Sequence, residues 1–414
     1  MDNKIRRVVV TGMGAVSPLG LNVDDSWAKM KEGVHGIGPI TQFDTTDYKA
    51  KVAAEVKDFD PRVYLDKSET ARTDRFAQFG VAAADQAVTE SGIIGNAAPE
   101  RIAVIIGTGI GGLKTLTEEY TKLNNRGPKR VSPYFVPKMI ANMASGMVAI
   151  RYNCQGSAMP AVTACASGSN AIGEAARLIR HGYADAVISG GAEAAISDVG
   201  VAGFINMQAL SVSEDPDAAS LPFDARRAGF VIGEGGACLV LEEYEHAVNR
   251  GAKIYGEICG YGTTCDAYHI TAPHPDGVGA IAAMKMAIEE AEYTPEDKVY
   301  VNAHGTGTPL NDKAETLAVK EVFGEEKARE MKISSIKSMT GHMLGASGAM
   351  EAIACLKTLE EGILPPTANL KEADPECDLD YVPNKAENWE PTLIVSNSLG
   401  FGGHNACLAI RKVK

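Results

Sequence analysis

The sequence predicts an α/β fold built from two similar halves. Short apolar segments rich in valine and isoleucine alternate with alanine-rich segments of helical periodicity, a pattern typical of buried strands covered by helices. Four sequence segments also recur in the same order along the 414 residues. An apolar content of 45% and a charged content of 22% are those of an ordinary globular protein with a large core. These observations favour a duplicated chain with buried sheets.

The recurring segments define the two halves. A strand followed by Gly-x-Gly, a strand running into Gly-Thr-Gly, an Ala-Ser-Gly helix start and a cysteine-centred strand each occur once per half. The pairs are residues 8–14 and 254–262, 101–109 and 298–307, 166–168 and 346–348, and 237–241 and 406–410. The separation between partners shrinks along the chain, so the first half has the longer insertions. We expect the halves to be residues 1–250 and 251–414.

Alanine-rich helices are expected between the strands. Their predicted spans are 76–91, 171–180, 279–292 and 348–359. The second and the fourth follow the repeated Ala-Ser-Gly triplet, so they are expected to occupy equivalent places in the two halves.

Charge and composition exclude several classes of function. A net charge of -13 argues against a nucleic-acid partner, because phosphate binding needs a basic face. No apolar run approaches the roughly 20 residues of a membrane helix, and Gly12 and Gly14 interrupt the apolar run too early for a signal peptide. Eight cysteines without paired or C-x-x-C spacing are expected to be mostly buried thiols in a reducing cytoplasm. We expect a cytoplasmic protein with no membrane partner.

Cys165 is the first candidate for chemistry. It lies in a Thr-Ala-Cys-Ala-Ser-Gly run, between a strand-like stretch and a predicted helix. A thiol at a helix start faces the positive end of the helix dipole, which favours the thiolate and leaves main-chain N–H groups free to hold an oxyanion. The position predicts a nucleophile.

Two histidines lie in glycine-rich turns of the second half. His304 is in the run Asn-Ala-His-Gly-Thr-Gly-Thr, and His342 is in Gly-His-Met-Leu-Gly-Ala-Ser-Gly. The duplication places Cys165 and His342 near equivalent helix starts, and it places His304 after a repeated strand. One cleft between the halves can therefore collect the thiol and both imidazoles, which suggests acyl-group chemistry.

Dinucleotide, zinc and hydrolase sites are the alternatives to acyl-group chemistry. The Gly-x-Gly runs at 12–14 and 107–111 lack the third glycine that a dinucleotide fingerprint needs. One cysteine and two histidines could bind catalytic zinc, although no typical zinc motif surrounds them. A cysteine hydrolase also stays open at this point.

The combined motifs resemble the elongating β-ketoacyl-acyl carrier protein synthases over essentially the whole chain. The runs that carry the resemblance are 163–168, 302–308, 337–348 and 397–405. The resemblance implies a thiolase fold, internally duplicated with five α-β-α-β-α layers, that works as a homodimer. It implies a 3-oxoacyl-[acyl-carrier-protein] synthase of fatty-acid biosynthesis, an acyltransferase that condenses malonyl-ACP with an acyl group held on Cys165. No free cofactor is expected, since the substrates carry 4′-phosphopantetheine on acyl carrier protein.

The resemblance also implies roles for individual residues at the reacting centre. The main-chain N–H groups of Cys165 and Phe401 would form an oxyanion hole. His304 and His342, as neutral imidazoles, would stabilise the malonyl thioester oxygen during decarboxylation. Lys337 matches the active-site lysine of the family, and Asp312 and Glu315 match acidic groups that could fix it.

Further residues match the family's substrate and partner contacts. The phosphopantetheine arm would be held by Thr306 and Thr308, and Phe401 would act as a gate. The acyl-pocket wall would comprise Ile110, Phe204 and Phe135, the last one contributed by the partner subunit. Docking of the acidic carrier protein would use Lys129, Arg130 and Lys67, with Arg72 as another candidate, whereas Gln208 is neutral where relatives often carry arginine. No metal is required, but a monovalent cation could lie at Asn302, Glu351 and Asn397.

Three relatives of the same fold would differ at identifiable positions. A thiolase expects a second reactive cysteine in the C-terminal glycine loop, which here reads Leu-Gly-Phe-Gly-Gly-His at 399–404. An initiating synthase would pair its cysteine with one histidine and an asparagine. A noncatalytic chain-length factor would lack the nucleophile. The preferred acyl chain length, and the choice between a housekeeping and a specialised pathway, do not follow from the sequence.

Overall fold

The strands of the molecule form one large sheet and two short antiparallel pairs. The structure, a computed structural model, describes residues 5–413. The strands within this range are β1 Val8–Val16, β2 Gly38–Pro39, β3 Val52–Ala53, β4 Ile102–Gly107, β5 Ala158–Met159, β6 Ala186–Glu193, β7 Gly235–Glu243, β8 Gly256–Cys265, β9 Val299–Asn302, β10 Lys332–Ser334, β11 Ile363–Leu364, β12 Glu387–Asn388, β13 Leu393–Gly400 and β14 His404–Arg411.

The helices cover both faces of the large sheet. Within the described residues they are α1 Val23–Glu32, α2 Lys67–Ala71, α3 Arg75–Ser91, α4 Leu113–Arg126, α5 Phe135–Met139, α6 Met143–Tyr152, α7 Ser167–Arg180, α8 Asp198–Asn206, α9 Tyr244–Asn249, α10 Val278–Glu290, α11 Pro309–Phe323, α12 Glu325–Glu330, α13 Lys337–Thr340 and α14 Ser347–Glu361. Among these residues, no helix has the length and apolar character needed to cross a membrane.

The order of the strands confirms the predicted duplication. The large sheet runs β10-β9-β13-β14-β8-β1-β7-β6-β4-β5. Read outward from its centre, β1-β7-β6-β4-β5 and β8-β14-β13-β9-β10 have the same order and the same pattern of antiparallel and parallel pairs. The halves join where Val9 and Val10 of β1 lie opposite Glu257 and Gly256 of β8. All four repeated segments therefore occupy equivalent places.

Five layers result from the packing of the helices on these strands. Helix α3 covers β1, β6 and β7, and helix α10 covers the equivalent β8, β13 and β14. Helices α7 and α14 lie between the two halves of the sheet and contact each other. The order is thus helix, sheet, helix pair, sheet, helix, as the resemblance to the condensing enzymes implies. The inner helices begin at Ser167 and Ser347, slightly earlier than predicted, because a 3-10 turn leads directly into each.

The repeated Gly-x-Gly motifs have a packing role. A Cβ atom added to Gly12 or Gly14 would lie 2.2 or 2.1 Å from a carbonyl oxygen of α3. The equivalent Gly260 and Gly262 would place a Cβ 2.0 or 1.8 Å from a carbonyl oxygen of α10. Only glycine lets the outer helix approach the strand this closely. The motif is explained by the contact between strand and helix, without a bound nucleotide.

This contact makes a substitution at Gly262 costly. Gly262→Ala should lower the free energy of unfolding by about 3 kcal/mol, because the new methyl group overlaps the backbone of α10. Urea denaturation of the purified protein measures the loss. Gly38→Ala is the matched control, since its Cβ would meet no atom within 4 Å. Equal stabilities of the two variants would contradict this account of the motif.

Candidate active site

Cys165 lies on a strained turn at the start of α7. The turn is a 3-10 helix spanning Ala164–Ala166, and Ala164 has a left-handed φ of 50°. The equivalent turn before α14, Leu344–Ala346, repeats the strain, with Leu344 at a φ of 46°. Residues 160–163 form no strand, so the expected strand-like approach to the thiol is wrong. The turn alone presents the thiol to a cavity.

Two main-chain N–H groups are directed at the thiol. The N–H groups of Phe401 and Cys165 both act on the Cys165 sulfur, and each lowers the pKa of the thiol. The loop that carries Phe401 reaches the thiol because Gly400 has no side chain, and a Cβ there would lie 2.7 Å from the Thr163 carbonyl oxygen and 3.2 Å from the Cys165 nitrogen. Converging N–H groups of this kind can hold the negative oxygen that develops when a thiol attacks a carbonyl carbon.

The resting thiol is protonated. Burial raises the pKa of Cys165 to about 12, and it outweighs the opposing effects of the Lys337 charge and the two N–H groups. The sequence-based expectation of a favoured thiolate is therefore wrong. That expectation was based on the position of Cys165 at a helix start. The dominant effect on the pKa of the thiol is the loss of water around the sulfur, which only the folded structure reveals.

His304 and His342 face one another near the thiol. Both are buried, and their ring centroids lie 5.4 Å apart at an angle of 85°. Burial lowers the pKa of each imidazole well below its usual range, and the Lys337 charge lowers both further. Both rings are therefore neutral at neutral pH, and each can donate one N–H.

Different groups fix the two histidine turns. Glu315 accepts hydrogen bonds of 2.8 Å from the main-chain N–H groups of His304 and Gly305. The Nδ1 atom of His342 lies 3.0 Å from the Ser347 hydroxyl, and the Phe230 ring packs edge-on against the same imidazole. The Nδ1 atom of His304 has no hydrogen-bond partner among residues 5–413.

Lys337 is paired with Glu351 rather than with the expected acidic residues. The two side chains form a buried ion pair, each 1% exposed. Asp312 instead accepts from the main-chain N–H groups of Phe223 and Gly307. Glu315 binds the His304 turn, and burial raises the pKa of Glu315 to about 7. The expected fixing of Lys337 by Asp312 and Glu315 is wrong, because α14 rather than α11 lies against the ammonium group.

The residues expected to bind a cation include several buried polar atoms that have no hydrogen-bond partner within residues 5–413. These are the Oε2 atom of Glu351, the Oδ1 atom of Asn397 and both side-chain atoms of Asn302. Carboxylate and amide oxygens suit a hard cation, so the donor set fits the group, although the other oxygen of Glu351 is used by Lys337. Among residues 5–413, no group of three or more His, Cys, Asp or Glu side chains could hold a metal ion.

A cavity of about 290 Å³ connects these groups. Its lining includes the side chains of Cys165, His304, His342, Phe401, Phe204, Thr306, Thr308, Phe230 and Gln208. The hydroxyls of Thr306 and Thr308 lie 2.9 Å apart. Lys337 lies behind the histidines and outside the lining. The cavity thus contains the thiol and both imidazoles predicted from the sequence, and the two threonines that the family resemblance implies.

Other predicted residues lie outside the cavity of the single chain. Ile110, in the loop after β4, is 39% exposed, and Phe135 begins α5. The basic residues Lys67, Lys129 and Arg130 are exposed. The Arg72 guanidinium lies 4.9 Å from the centre of the Tyr134 ring, which places the end of α2 beside the 128–134 segment. The candidate docking residues therefore lie on neighbouring segments.

Sequence reasoning missed three residues around the site. Ser347, Phe230 and Glu193 contact the catalytic turns through hydrogen bonds or ring packing. Ser347 belongs to the repeated Ala-Ser-Gly triplet, which was a usable signal. Glu193 ends the apolar strand β6, where a charged residue in a buried run is also informative. No sequence signal marks Phe230.

Comparisons with known proteins agree with this geometry. The model of the β-ketoacyl synthase N-terminal domain matches residues 5–247, and that of the C-terminal domain matches residues 255–371. The curated 3-oxoacyl-[acyl-carrier-protein] synthase 2 of Synechocystis is 52% identical over 409 residues, which is 98% of both chains.

Solved structures of ketosynthases also superpose on the chain. A β-ketoacyl synthase from Burkholderia phymatum has a TM-score of 0.92 and 35% identity, covering 99% of this chain and all of that one. A type II polyketide ketosynthase, solved in complex with its acyl-carrier protein, has a TM-score of 0.91 and 33% identity at the same coverage.

The chain belongs to the β-ketoacyl synthase family, and its fold is the thiolase-like fold of ketosynthases. It is a condensing enzyme of the acyltransferase class, similar along its whole length to 3-oxoacyl-[acyl-carrier-protein] synthase 2. The family expected from the sequence motifs is confirmed.

The buried ion pair predicts a strong effect of removing one partner. Glu351→Gln should lower the free energy of unfolding by about 3–5 kcal/mol, because it leaves the Lys337 ammonium buried without a counterion. Chemical denaturation measures the change. The double variant Lys337→Met with Glu351→Leu removes both charges and should recover most of that loss. A single variant as stable as the unchanged protein would contradict the pairing.

Proposed function

We propose that this protein is a 3-oxoacyl-[acyl-carrier-protein] synthase of fatty-acid biosynthesis. It extends an acyl chain held on Cys165 by condensation with malonyl-ACP. The observation that carries the proposal is the cavity in which a thiol under two N–H groups meets two neutral imidazoles. A hydrolase would need only the thiol and one base, whereas a decarboxylating condensation uses every one of these groups.

Acyl transfer is the first half-reaction. The Cys165 sulfur attacks the thioester carbon of acyl-ACP while the N–H groups of Cys165 and Phe401 hold the oxyanion. Because the resting thiol is protonated, its proton leaves as the new carbon–sulfur bond forms, and a neutral imidazole can accept it. The bond to the phosphopantetheine sulfur then breaks, and that sulfur takes the proton. The acyl group remains on Cys165.

Decarboxylation and condensation form the second half-reaction. His304 and His342 donate hydrogen bonds to the thioester oxygen of malonyl-ACP. The electron pair of the bond to the carboxylate moves into the enolate as carbon dioxide leaves. The enolate carbon attacks the acyl-Cys165 thioester, so that 3-oxoacyl-ACP forms and the Cys165 sulfur leaves as a thiolate, which takes a proton from water to restore the resting thiol. Neutral imidazoles suit this role, because each donates an N–H hydrogen bond to the developing negative oxygen and is too weak an acid to transfer its proton to the enolate.

Charges behind the cavity support these steps. Burial and, secondly, the Lys337 charge lower the pKa of both histidines and keep them neutral, and Glu351 balances the Lys337 charge within the protein. A monovalent cation held by Asn302, Asn397 and the free oxygen of Glu351 would supply a fixed positive charge beside the His304 turn. No other metal or cofactor has a part in this proposal.

The carrier protein and its arm are the proposed partners at the surface. Thr306 and Thr308 hold the phosphopantetheine arm, and Phe401, between two glycines, acts as the gate. Lys67, Lys129 and Arg130, with Arg72, attract the acidic carrier, while Gln208 at the cavity leaves its rim neutral. Rim charges of this kind act mainly on the rate of encounter and its salt dependence. The similar ketosynthase solved with its acyl-carrier protein supports this partner.

We also propose a cytoplasmic homodimer with two halves that divide near Arg250. The edge strand β5 is exposed at both of its residues, and apolar side chains are exposed at positions 110, 134, 136, 159 and 162. An exposed apolar edge strand is typical of an interface. In the dimer, the partner subunit's Phe135 joins Ile110 and Phe204 in the wall of the acyl pocket.

Replacing the nucleophile separates the two half-reactions. Cys165→Ala should reduce chain elongation by roughly 10⁴-fold and still release carbon dioxide from malonyl-ACP. His342→Ala should slow decarboxylation by about 10²-fold while Cys165 still accepts an acyl group. Purified variants assayed with malonyl-ACP and acyl-ACP primers of several lengths give both rates. Elongation by Cys165→Ala would refute the assignment of the nucleophile.

The proposed pocket wall should limit the length of the acyl chain that the enzyme accepts. Ile110→Phe should lower kcat/KM for the longest primers by about tenfold or more and leave short primers nearly unaffected, because the larger ring fills the end of the pocket. Val248→Phe, an exposed change on α9, is the control. An unchanged chain-length profile would remove Ile110 from the pocket.

A further inference from the structure

Glu193 is a buried carboxylate at the place where the loops of the site meet. It is the last residue of β6 and has no exposed surface. It forms none of the ion pairs found among residues 5–413. Its charge is instead held by hydrogen bonds, all from neutral groups.

The donors come from two segments that have different tasks in the proposed reaction. The Oε1 atom accepts from the Thr108 hydroxyl at 3.0 Å and from the Ile110 N–H at 3.3 Å. The Oε2 atom accepts from the Gly109 N–H at 2.6 Å and from the Gly345 N–H at 3.0 Å. Residues 108–110 lead into the proposed acyl pocket, whereas Gly345 lies on the turn between His342 and α14.

These segments pack directly on the carboxylate and on one another. A Cβ atom added to Gly345 would lie 2.4 Å from the Gly109 nitrogen and 2.8 Å from the Glu193 Oε2 atom. A Cβ atom added to Gly109 would lie 2.8 Å from the same oxygen and 3.4 Å from the Ala164 carbonyl oxygen. The acyl-pocket loop, the Cys165 turn and the His342 turn therefore meet around one side chain.

The negative charge of Glu193 also acts on the nucleophile. It raises the pKa of Cys165, adding to the larger effect of burial. Burial raises the pKa of Glu193 as well, and its hydrogen bonds oppose that change. A charge that disfavours the thiolate does not assist acyl transfer. The role of Glu193 must therefore lie in the segments that its hydrogen bonds hold in place.

We propose that Glu193 is a positioning residue that fixes the acyl-pocket loop and the His342 turn relative to each other. Through one oxygen it sets the position of the loop that receives the acyl chain. Through the other it joins that loop to the turn that serves decarboxylation. This inference rests on the proposed function, because it assigns the two segments to the two half-reactions.

The substitution Glu193→Gln tests the inference because it keeps the size of the side chain. The amide has one oxygen and one NH₂ group. The NH₂ group should face Thr108, whose hydroxyl can turn to accept, because Gly109 and Gly345 offer only donors. The Ile110 N–H then loses its acceptor, while the contacts to Gly109 and Gly345 persist. The variant should therefore loosen the acyl-pocket loop more than the His342 turn.

The readout is the ratio of the two half-reactions. We expect Glu193→Gln to slow acyl transfer from long-chain acyl-ACP by about tenfold and to change primer-free decarboxylation of malonyl-ACP much less. Glu242→Gln is the matched control. Glu242 lies on the neighbouring strand β7 and is a fully buried carboxylate that accepts hydrogen bonds from Thr11 and Arg250. The control should lower stability without changing the ratio.

A merely structural role predicts a different result. If Glu193→Gln lowers both rates by the same factor, as a general loss of stability would, the inference is overturned. Thr108→Val provides the same test if the glutamine variant does not fold, because it removes one donor to Oε1, and a smaller shift of the ratio in the same direction is expected. An unchanged ratio in Thr108→Val would equally overturn the inference.

The two proposals fail in different ways. If the unchanged protein neither accepts an acyl group on Cys165 nor decarboxylates malonyl-ACP, the proposed function fails. If it does both and the ratio is insensitive to Glu193→Gln, only the role of Glu193 fails.

Discussion

The close contact between the starts of α7 and α14 is the constraint on which the site depends. A Cβ atom at Gly168 would lie 2.9 Å from the Ala349 nitrogen, and one at Gly348 would lie 2.2 Å from the Ser169 hydroxyl. The two inner helices can meet only because these positions carry hydrogen in place of a side chain. This contact brings the turn of Cys165, which belongs to the first half, to the turns of the second half. The cavity, the oxyanion hole and the paired histidines all follow from it.

Exclusion of water then decides the charge states of the site. Burial raises the pKa of the thiol and lowers the pKa of both imidazoles, so all three groups are neutral before substrate arrives. The charged groups behind them include Lys337 and Glu351, which neutralise each other, and Glu193, which is held by N–H and hydroxyl donors. A neutral and enclosed site strengthens every hydrogen bond formed to a developing oxyanion.

The sequence predicts the framework of this site but not its pairings. The duplication is visible because strands and helix starts recur in order, and it places Cys165, His304 and His342 together. The predicted partners of Lys337, Asp312 and Glu315, were wrong, because both lie on α11, whereas Glu351 on α14 is the carboxylate that packs against the ammonium group. The prediction that Cys165 favours the thiolate was wrong for a related reason. A helix start can be recognised in a sequence, whereas the burial of a sulfur atom cannot. Ile110 and Phe135 stay predictions, because a single chain does not bring them to the cavity.

The burial of the cysteines has a consequence for covalent inhibitors. Six of the eight thiols are buried, Cys265 is exposed, and Cys165 is the one that lines the cavity. The pKa of Cys165 is raised like those of the inert core cysteines 238 and 355. An electrophile that seeks acidic thiols would gain no preference for this residue. A selective compound must therefore fill the cavity and present a carbonyl-like oxygen to the N–H groups of Cys165 and Phe401. The shape of the compound, more than its reactivity, then determines which cysteine is modified.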